Sequence, residues 1–206
     1  AADFGEGGVL NGVTSVTAGN AHIDELADLV GAPHVQSISI ENNILSAVES
    51  GSEKISVSEA IAAQHSKVGN SPSSYSIVDT ATEVSSQLAT LNGLSTGPGS
   101  LNVEDATISQ YESLSSEALV TTINVETSFS NLNAASGTLT LSSMQGGAVT
   151  KIGNVTITDL LVSDLSSVEG FATSLSFKDT PDNLLSFEGS YTQTVLENAE
   201  KVEITS

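Results

Sequence analysis

One phrase recurs along this chain, and it constrains the fold more than any single motif. An alternating, β-branched segment is followed by one or two polar or acidic residues, then by a short Ala/Leu/Ser stretch at helical spacing. The extended segments are Thr14–Thr17, Gln36–Ile40, Lys54–Val57, Ser74–Val78, Ser100–Val103, Thr121–Val125, Thr138–Leu141, Val155–Thr158, Ser174–Phe177 and Lys201–Thr205. Their starts lie roughly 15 to 27 residues apart, near the period of a solenoid coil. Strands this short cannot bury an apolar face alone, so each unit needs neighbours to form a core.

The units alternate between two types. Leu101–Thr107, Val155–Leu161 and Ile55–Ile61 represent the first, and Tyr75–Thr80, Ile123–Ser128 and Leu175–Thr180 the second, with Ser37–Asn42 a looser copy. In the second type the acidic residue falls at Glu41, Asp79, Glu126 and Asp179, so a two-coil module spans about 38 to 53 residues. The chain is expected to form one repeat block, 1–206, with modules 13–53, 54–98, 99–152 and 153–199 and another beginning at 200–206. Its ends share a phase, since Val9–Val16 aligns with Val195–Val202.

Helical stretches follow the strands. In Ala81–Leu91, the residues Val84, Leu88 and Leu91 share one face. Asp79 and Thr80 stand where an N-cap is wanted, and Glu83 completes a capping box with Thr80. Asp105 and Thr107 precede Ile108, Tyr111 and Leu114 in the same way, and Pro181 suits a first helical position. The expected fold is therefore α/β: a repetitive solenoid of short, largely parallel strands alternating with short helices. Regularly spaced strands also fit an all-β sandwich, but the capped, Ala-rich segments favour the solenoid. With 38% hydrophobic and 4% aromatic residues, the core must be built from Val, Ile, Leu and Ala. Phe4, Phe129, Phe171, Phe177 and Phe187 are expected to fill the core or its caps.

The acidic balance excludes whole classes of partner. Twenty-five Asp and Glu against five basic residues give a formal charge of −20, which opposes nucleic-acid binding and anionic membrane surfaces. No apolar run approaches the ~18 residues of a membrane span, so direct membrane insertion is not expected. Cysteine is absent, which removes disulfides and thiolate metal sites. Cations are the natural counterpart of such a surface, and Ca²⁺ prefers carboxylate and carbonyl oxygens. The recurring carboxylates Glu41, Glu59, Asp79, Asp105, Glu126, Asp159 and Asp179 have two readings. As helix caps each contributes about 1 kcal/mol. As a stacked ladder they would repel one another unless Ca²⁺ bridged them. Asp159 with Asp164, and Asp179 with Asp182, are the most clustered pairs and the candidate Ca²⁺ ligands, the one cofactor the chain suggests.

Catalytic patterns are weak. Gly93-Leu94-Ser95-Thr96-Gly97 matches a nucleophile elbow, but a helical stretch precedes it and Pro98-Gly99 follows, where the elbow needs a strand before and a helix after. His22 and His65 are expected on helices and His34 in a turn, and none has the spacing of a zinc site. Gly146-Gly147 reads as a turn, and Asn154-Val155-Thr156 as a chance sequon.

The phrases VTITD, YSIVDTATEVSSQL and LSFKDTPDNLL resemble the Ala/Thr/Asp-rich tandem repeats of giant type I-secreted, RTX-associated bacterial adhesins and S-layer-like proteins. The resemblance covers most of 13–206 and implies secretion, a cell-surface location and, in many members, dependence on Ca²⁺. The Gly-Gly-x-Gly-x-Asp nonapeptide of the RTX calcium roll is absent, so that mode of Ca²⁺ binding is not implied. The expectation is a non-enzymatic, extracellular structural or adhesive repeat protein. It would build an S-layer, filament or adhesin stalk by end-to-end or lateral association, with copies of itself or cell-surface polysaccharide as partners. The alternative is a polysaccharide-binding or carbohydrate-active solenoid domain, which would need exposed aromatics or paired carboxylates along one face.

Overall fold

The structure, a computed structural model, describes residues 15–186 and 199–205. Its first elements are β1 (Val16–Ala21), a 3-10 turn (Ile23–Glu25), α1 (Leu26–Gly31), β2 (Val35–Ile40), α2 (Asn42–Ser50) and α3 (Val57–Ala63). There follow β3 (Ser76–Thr80), α4 (Ala81–Asn92), β4 (Ser100–Ala106), α5 (Ile108–Leu114), β5 (Thr122–Ser128), α6 (Phe129–Ala134) and α7 (Leu141–Gln145). The last are β6 (Ile152–Leu160), a 3-10 turn (Val162–Asp164), α8 (Leu165–Val168), β7 (Ser174–Asp179), α9 (Pro181–Ser186) and β8 (Lys201–Ile204).

The class is α/β. Strands β1 and β2 form one pair, and β3 to β8 form a six-stranded parallel sheet in simple chain order. Parallel neighbours need a crossover between them, and helices supply it. That corrects the all-β sandwich alternative, which would be built of antiparallel hairpins and meanders.

Two compact units divide the chain: Ala1–Asp79 with Ser86–Asn102, and Thr80–Ser85 with Val103–Ser206. In the first, β1 pairs with β2, and single parallel bridges join Ile38 to Val68 and Ile55 to Ile77. Its core holds Ile23, Leu26, Val35, Ile38, Ile40, Val48 and Ile55. In the second, β5 to β8 pair in parallel, and Val103, Tyr111, Leu114, Ile123, Val125, Leu132, Ile157 and Phe177 are buried. Strands β4, β5 and β6 bury alternate residues, and α5, which follows β4, buries Tyr111 and Leu114. Tyr111 is wholly buried, yet its hydroxyl donates to the Thr150 carbonyl at 2.6 Å, and that of Tyr75 donates to the Thr96 carbonyl.

Two expected strands fail for one reason. Lys54–Val57 keeps only the Ile55 bridge, and Thr138–Leu141 forms no strand. Ser56 and Thr140 accept the Glu59 and Ser143 N–H groups at 3.3 and 3.1 Å, capping α3 and α7, so the chain turns helical immediately after one buried residue. The expected caps Thr80 and Thr107 accept from Glu83 and Gln110, each at 3.3 Å, and Pro181 opens α9. On α4, Val84 and Leu91 are buried and Leu88 is half-buried. Phe177 is a core residue and Phe129 and Phe171 are half-buried; Phe4, Phe187 and most of the 9–16/195–202 alignment lie outside the described residues.

A longer recurrence runs through these strands and helices. Residues 18–70, in the first unit, and 103–154, in the second, carry the same devices in the same order. Asp105 follows Asn20 by 85 positions, Ile123 follows Ile38 by 85, and Lys151 follows Lys67 by 84. Both stretches end in Lys-Val/Ile-Gly-Asn, at 67–70 and 151–154. The Ile38 N–H donates to the Lys67 carbonyl at 2.8 Å, and the Ile123 N–H to that of Lys151 at 2.7 Å. The ammonium groups match as well. Lys67 Nζ donates to the carbonyls of Val30 and Ala32 at 2.7 and 3.1 Å, and Lys151 Nζ to that of Glu117 at 2.6 Å, closing the loops that follow α1 and α5.

Candidate functional site

The recurring acidic residues occupy three kinds of place. Asp105 and Asp159 have φ of +54°, and Asn20, which is not acidic, has +55°. All three are exposed, and each is followed by a buried residue (Ala106, Leu160 and Ala21) and then by the cap of a helix. Strand registers β1/β2 and β6/β7 shift at this point, so Asn20 and Asp159 sit in bulges that end the strand. Asn and Asp are the non-glycine residues that best tolerate left-handed backbone. Asp105 and Asp159 therefore differ from the expected caps: they answer to backbone conformation, not to orphan N–H groups.

Asp79 and Asp179 are the second kind, and both cap a helical turn that lies earlier in the sequence. The Val57 N–H, first in α3, donates to Asp79 Oδ2 at 2.9 Å, and the Val162 N–H, first in its 3-10 turn, donates to Asp179 Oδ2 at 3.0 Å. Asp179 also accepts from the Thr180 N–H and the Asn183 amide, each at 2.7 Å, and is 3% exposed. The Asn183 bond, ahead of the two backbone donors, holds its carboxyl below the usual value. Leu161 offers no capping side chain, so the next strand supplies one.

Glu41 and Glu126 form the third kind. Glu41 takes the N-cap position of α2 without a side-chain hydrogen bond. Glu126 is exposed, and the place corresponding to half-buried Asp79 and buried Asp179 belongs to the buried Thr127. Counting back from the caps Thr80, Ser128 and Thr180 gives that alignment, which corrects the acidic phase at 126 by one residue. Glu59 reaches back to the Ser56 N–H at 2.7 Å, as a capping box requires.

The candidate Ca²⁺ ligands are spread among these roles. Asp159 stands exposed in its bulge, Asp164 is half-buried at the end of the 3-10 turn, Asp179 is occupied by N–H donors, and Asp182 is exposed in the first turn of α9. No group of three or more His, Asp or Glu residues placed to hold a metal ion occurs among the described residues.

Two polar features were not legible in the carboxylate pattern. On the second unit's sheet, Asn124 Nδ2 donates to Glu104 at 2.7 Å and Asn124 Oδ1 accepts from the Asn154 N–H at 2.7 Å, linking β4, β5 and β6 through side chains. A Cβ on Gly153 would lie 2.2 Å from that Asn124 oxygen, which explains the glycine in the second Lys-Ile-Gly-Asn. In the first unit Asn70 does related work, accepting from the Ile40 N–H and donating to its carbonyl at 2.8 and 2.9 Å. The twin tetrapeptides KVGN and KIGN were the available signal for both. Beside α5 and α6 an open groove of about 510 Å³ is lined by hydroxyls, Glu126 and Glu112. Glu112 is committed to structure: it accepts the Leu139 N–H at 2.7 Å, the bond that most lowers its pKa.

The remaining candidates sit at element ends. His22 precedes the first 3-10 turn with its ring 2.8 Å from Asp24, and His65 lies just past α3, so neither is on a helix as expected; His34 is in a turn. Ser95 follows α4 and precedes β4, the reverse of an elbow's order, and its hydroxyl donates to Gln64 at 3.1 Å. No helix among the described residues is long and apolar enough to cross a membrane. Comparison of the chain with protein-family models, curated proteins and solved structures finds no match.

Proposed function

We propose that this chain is a solenoid repeat protein with a structural or adhesive role outside the cell, on a bacterial surface, and that it works without catalysis. In this reading it contributes to an S-layer, filament or adhesin stalk by associating with copies of itself. The supporting observation is the recurrence of 18–70 in 103–154, in which left-handed Asn20/Asp105, capped helices and the Lys67/Lys151 clamps all return. These devices fix backbone and close loops, and the side chains that recur are committed to that work. A chain built this way grows by adding coils, and its function lies in length and surface. Polysaccharide is the second partner class; the groove beside α5 and α6 has no aromatic ring among its lining residues for a sugar to stack on.

Electron microscopy of the purified chain over a range of concentration and salt is the test, with Ca²⁺ as a variable. Filaments, sheets or ordered clusters are expected. Monodisperse particles under every condition, together with no adherence to bacterial surface preparations, would remove the proposal.

A further inference from the structure

The junction where α4 ends carries a chemistry the fold does not use. Asn92, the last residue of α4, is followed by Gly93, and both are exposed. The Asn92 carboxamide has no hydrogen-bond partner among the described residues, whereas Asn70, Asn124 and Asn183 commit theirs to Ile40, Glu104 and Asp179. Every other asparagine of the described residues is followed by a residue with a β-carbon, and Asn11-Gly12 lies outside them.

The backbone nitrogen that follows an asparagine can attack the side-chain carbonyl carbon and close a five-membered ring. A β-carbon on the attacking residue obstructs that approach, and glycine has none. In a helix interior the nitrogen is held by the carbonyl four residues back. At the end of α4 the hold is weaker. The Gly93 N–H donates to the Thr90 carbonyl at 3.0 Å and the Leu94 N–H to that of Leu91 at 3.3 Å, both three-residue steps of poorer geometry. Terminal bonds of this kind open at the lowest free energies in a fold. Further along, the Ser95 hydroxyl donates to Gln64 at 3.1 Å and the Gly99 N–H to the Tyr75 carbonyl at 2.8 Å, so the junction can open while the rest of the loop stays in place.

We infer that Asn92 is a site of self-catalysed deamidation in the folded chain. The Gly93 nitrogen loses its proton and bonds to Asn92 Cγ, the Cγ–Nδ2 bond breaks, and Nδ2 leaves as ammonia carrying that proton. Water then opens the succinimide at either carbonyl, giving aspartate or, through the side chain, β-linked isoaspartate. Either product adds a carboxylate to a chain already at −20 and places it at the helix C-terminus, where the macrodipole disfavours negative charge. The β-linkage also inserts a carbon into the backbone between α4 and the loop tied to Tyr75. The reaction needs no partner and no second copy, so it proceeds whether or not the chain assembles.

Ageing the purified wild type in mildly alkaline buffer is the test. A more acidic species should accumulate on anion exchange. Cleavage after lysine should place the amide-to-acid mass gain in the 68–151 peptide, apart from Asn11 in 1–54, and fragmentation should locate it at residue 92 with both isomers present. Gly93→Ala is the control. Gly93 is not left-handed, and its added carbon would meet the Thr90 carbonyl oxygen at 3.4 Å, an ordinary contact. That variant should keep the wild-type melt and convert several-fold more slowly. An Asn92 that stays an amide in buffer, whatever it does in urea, overturns the inference. Conversion at another asparagine with Asn92 unchanged overturns the assignment, and a Gly93→Ala variant that converts as fast as wild type overturns attack by the Gly93 nitrogen.

Discussion

Asp159 and Asp179 are both acidic and both stand near strand ends, but they answer to different physics. Asp159 is held at φ +54°, a conformation that costs most L-residues about 1–2 kcal/mol and glycine almost nothing. Asp159→Gly should therefore change stability little in urea unfolding, whereas Asp159→Val should lower it by about 1–2 kcal/mol. Asp179 shows the opposite preference. Removing its carboxylate leaves the Val162 N–H unpaired, and Asp179→Ala should cost about 2 kcal/mol. Its pKa lies below the ordinary 3.8, with the Asn183 amide as first cause. The stabilisation is thus present above that value and lost as pH falls through the depressed one. The stability difference between wild type and Asp179→Asn should shrink as the pH drops below 4, measured by urea midpoints at each pH; a constant difference would refute the linkage. Sequence reading found these residues by their recurrence and assigned one role to all. It could not separate them because charge is visible in a sequence and φ is not, and Asn20 escaped for lacking charge.

The elements were legible where strand and cap agreed. β2 to β7 lie on segments whose alternation is long enough to bury two or three residues before the cap. Lys54–Val57 and Thr138–Leu141 alternate as well, but a hydroxyl in the third place draws the next residues into a helix. Ser56 followed by Glu59 is a capping-box signature that could have decided the first case; Thr140 followed by Ser143 offers less. Thr140→Ala should destabilise by about 1 kcal/mol, since it unties the cap of α7. The Lys clamps were hidden for another reason: a lysine among so many carboxylates reads as a surface countercharge. Lys67 and Lys151 instead bind carbonyl oxygens, and Lys67→Met and Lys151→Met should each cost about 1–2 kcal/mol. The losses should be similar in size and insensitive to salt; strong salt dependence would mark them as ion pairs with the acidic surface.

For the molecule as a whole, the α/β class and the largely parallel pairing of the strands followed from the sequence, while the recurrence of 18–70 in 103–154 needed hydrogen bonds to become visible. The two stretches share few residue identities, and it is the left-handed Asn20/Asp105, the caps and the Lys clamps that align them. With a charge of −20 on 206 residues, the folded chain repels itself, and its melting temperature should rise with added NaCl. CaCl₂ at matched ionic strength tests the expected ion. A bound Ca²⁺ at Asp159 and Asp164, or at Asp179 and Asp182, would add a saturable rise. The N–H donors already on Asp179 lead us to expect the two salts to give the same curve.

The left-handed backbone at Asp105 and Asp159 has a consequence beyond conformation. The residues that fit this conformation are few. Of the three that hold it at strand ends, Asn20, Asp105 and Asp159, two carry a negative charge, while the fourth left-handed residue other than glycine, Lys151, precedes a strand. At these positions anionic charge is laid down by backbone geometry, whatever the chain binds. A protein lengthened by such coils becomes a folded polyelectrolyte with a fixed linear charge density. Its solubility, its stiffening in dilute salt and its spacing from neighbours would all scale with the number of coils it contains.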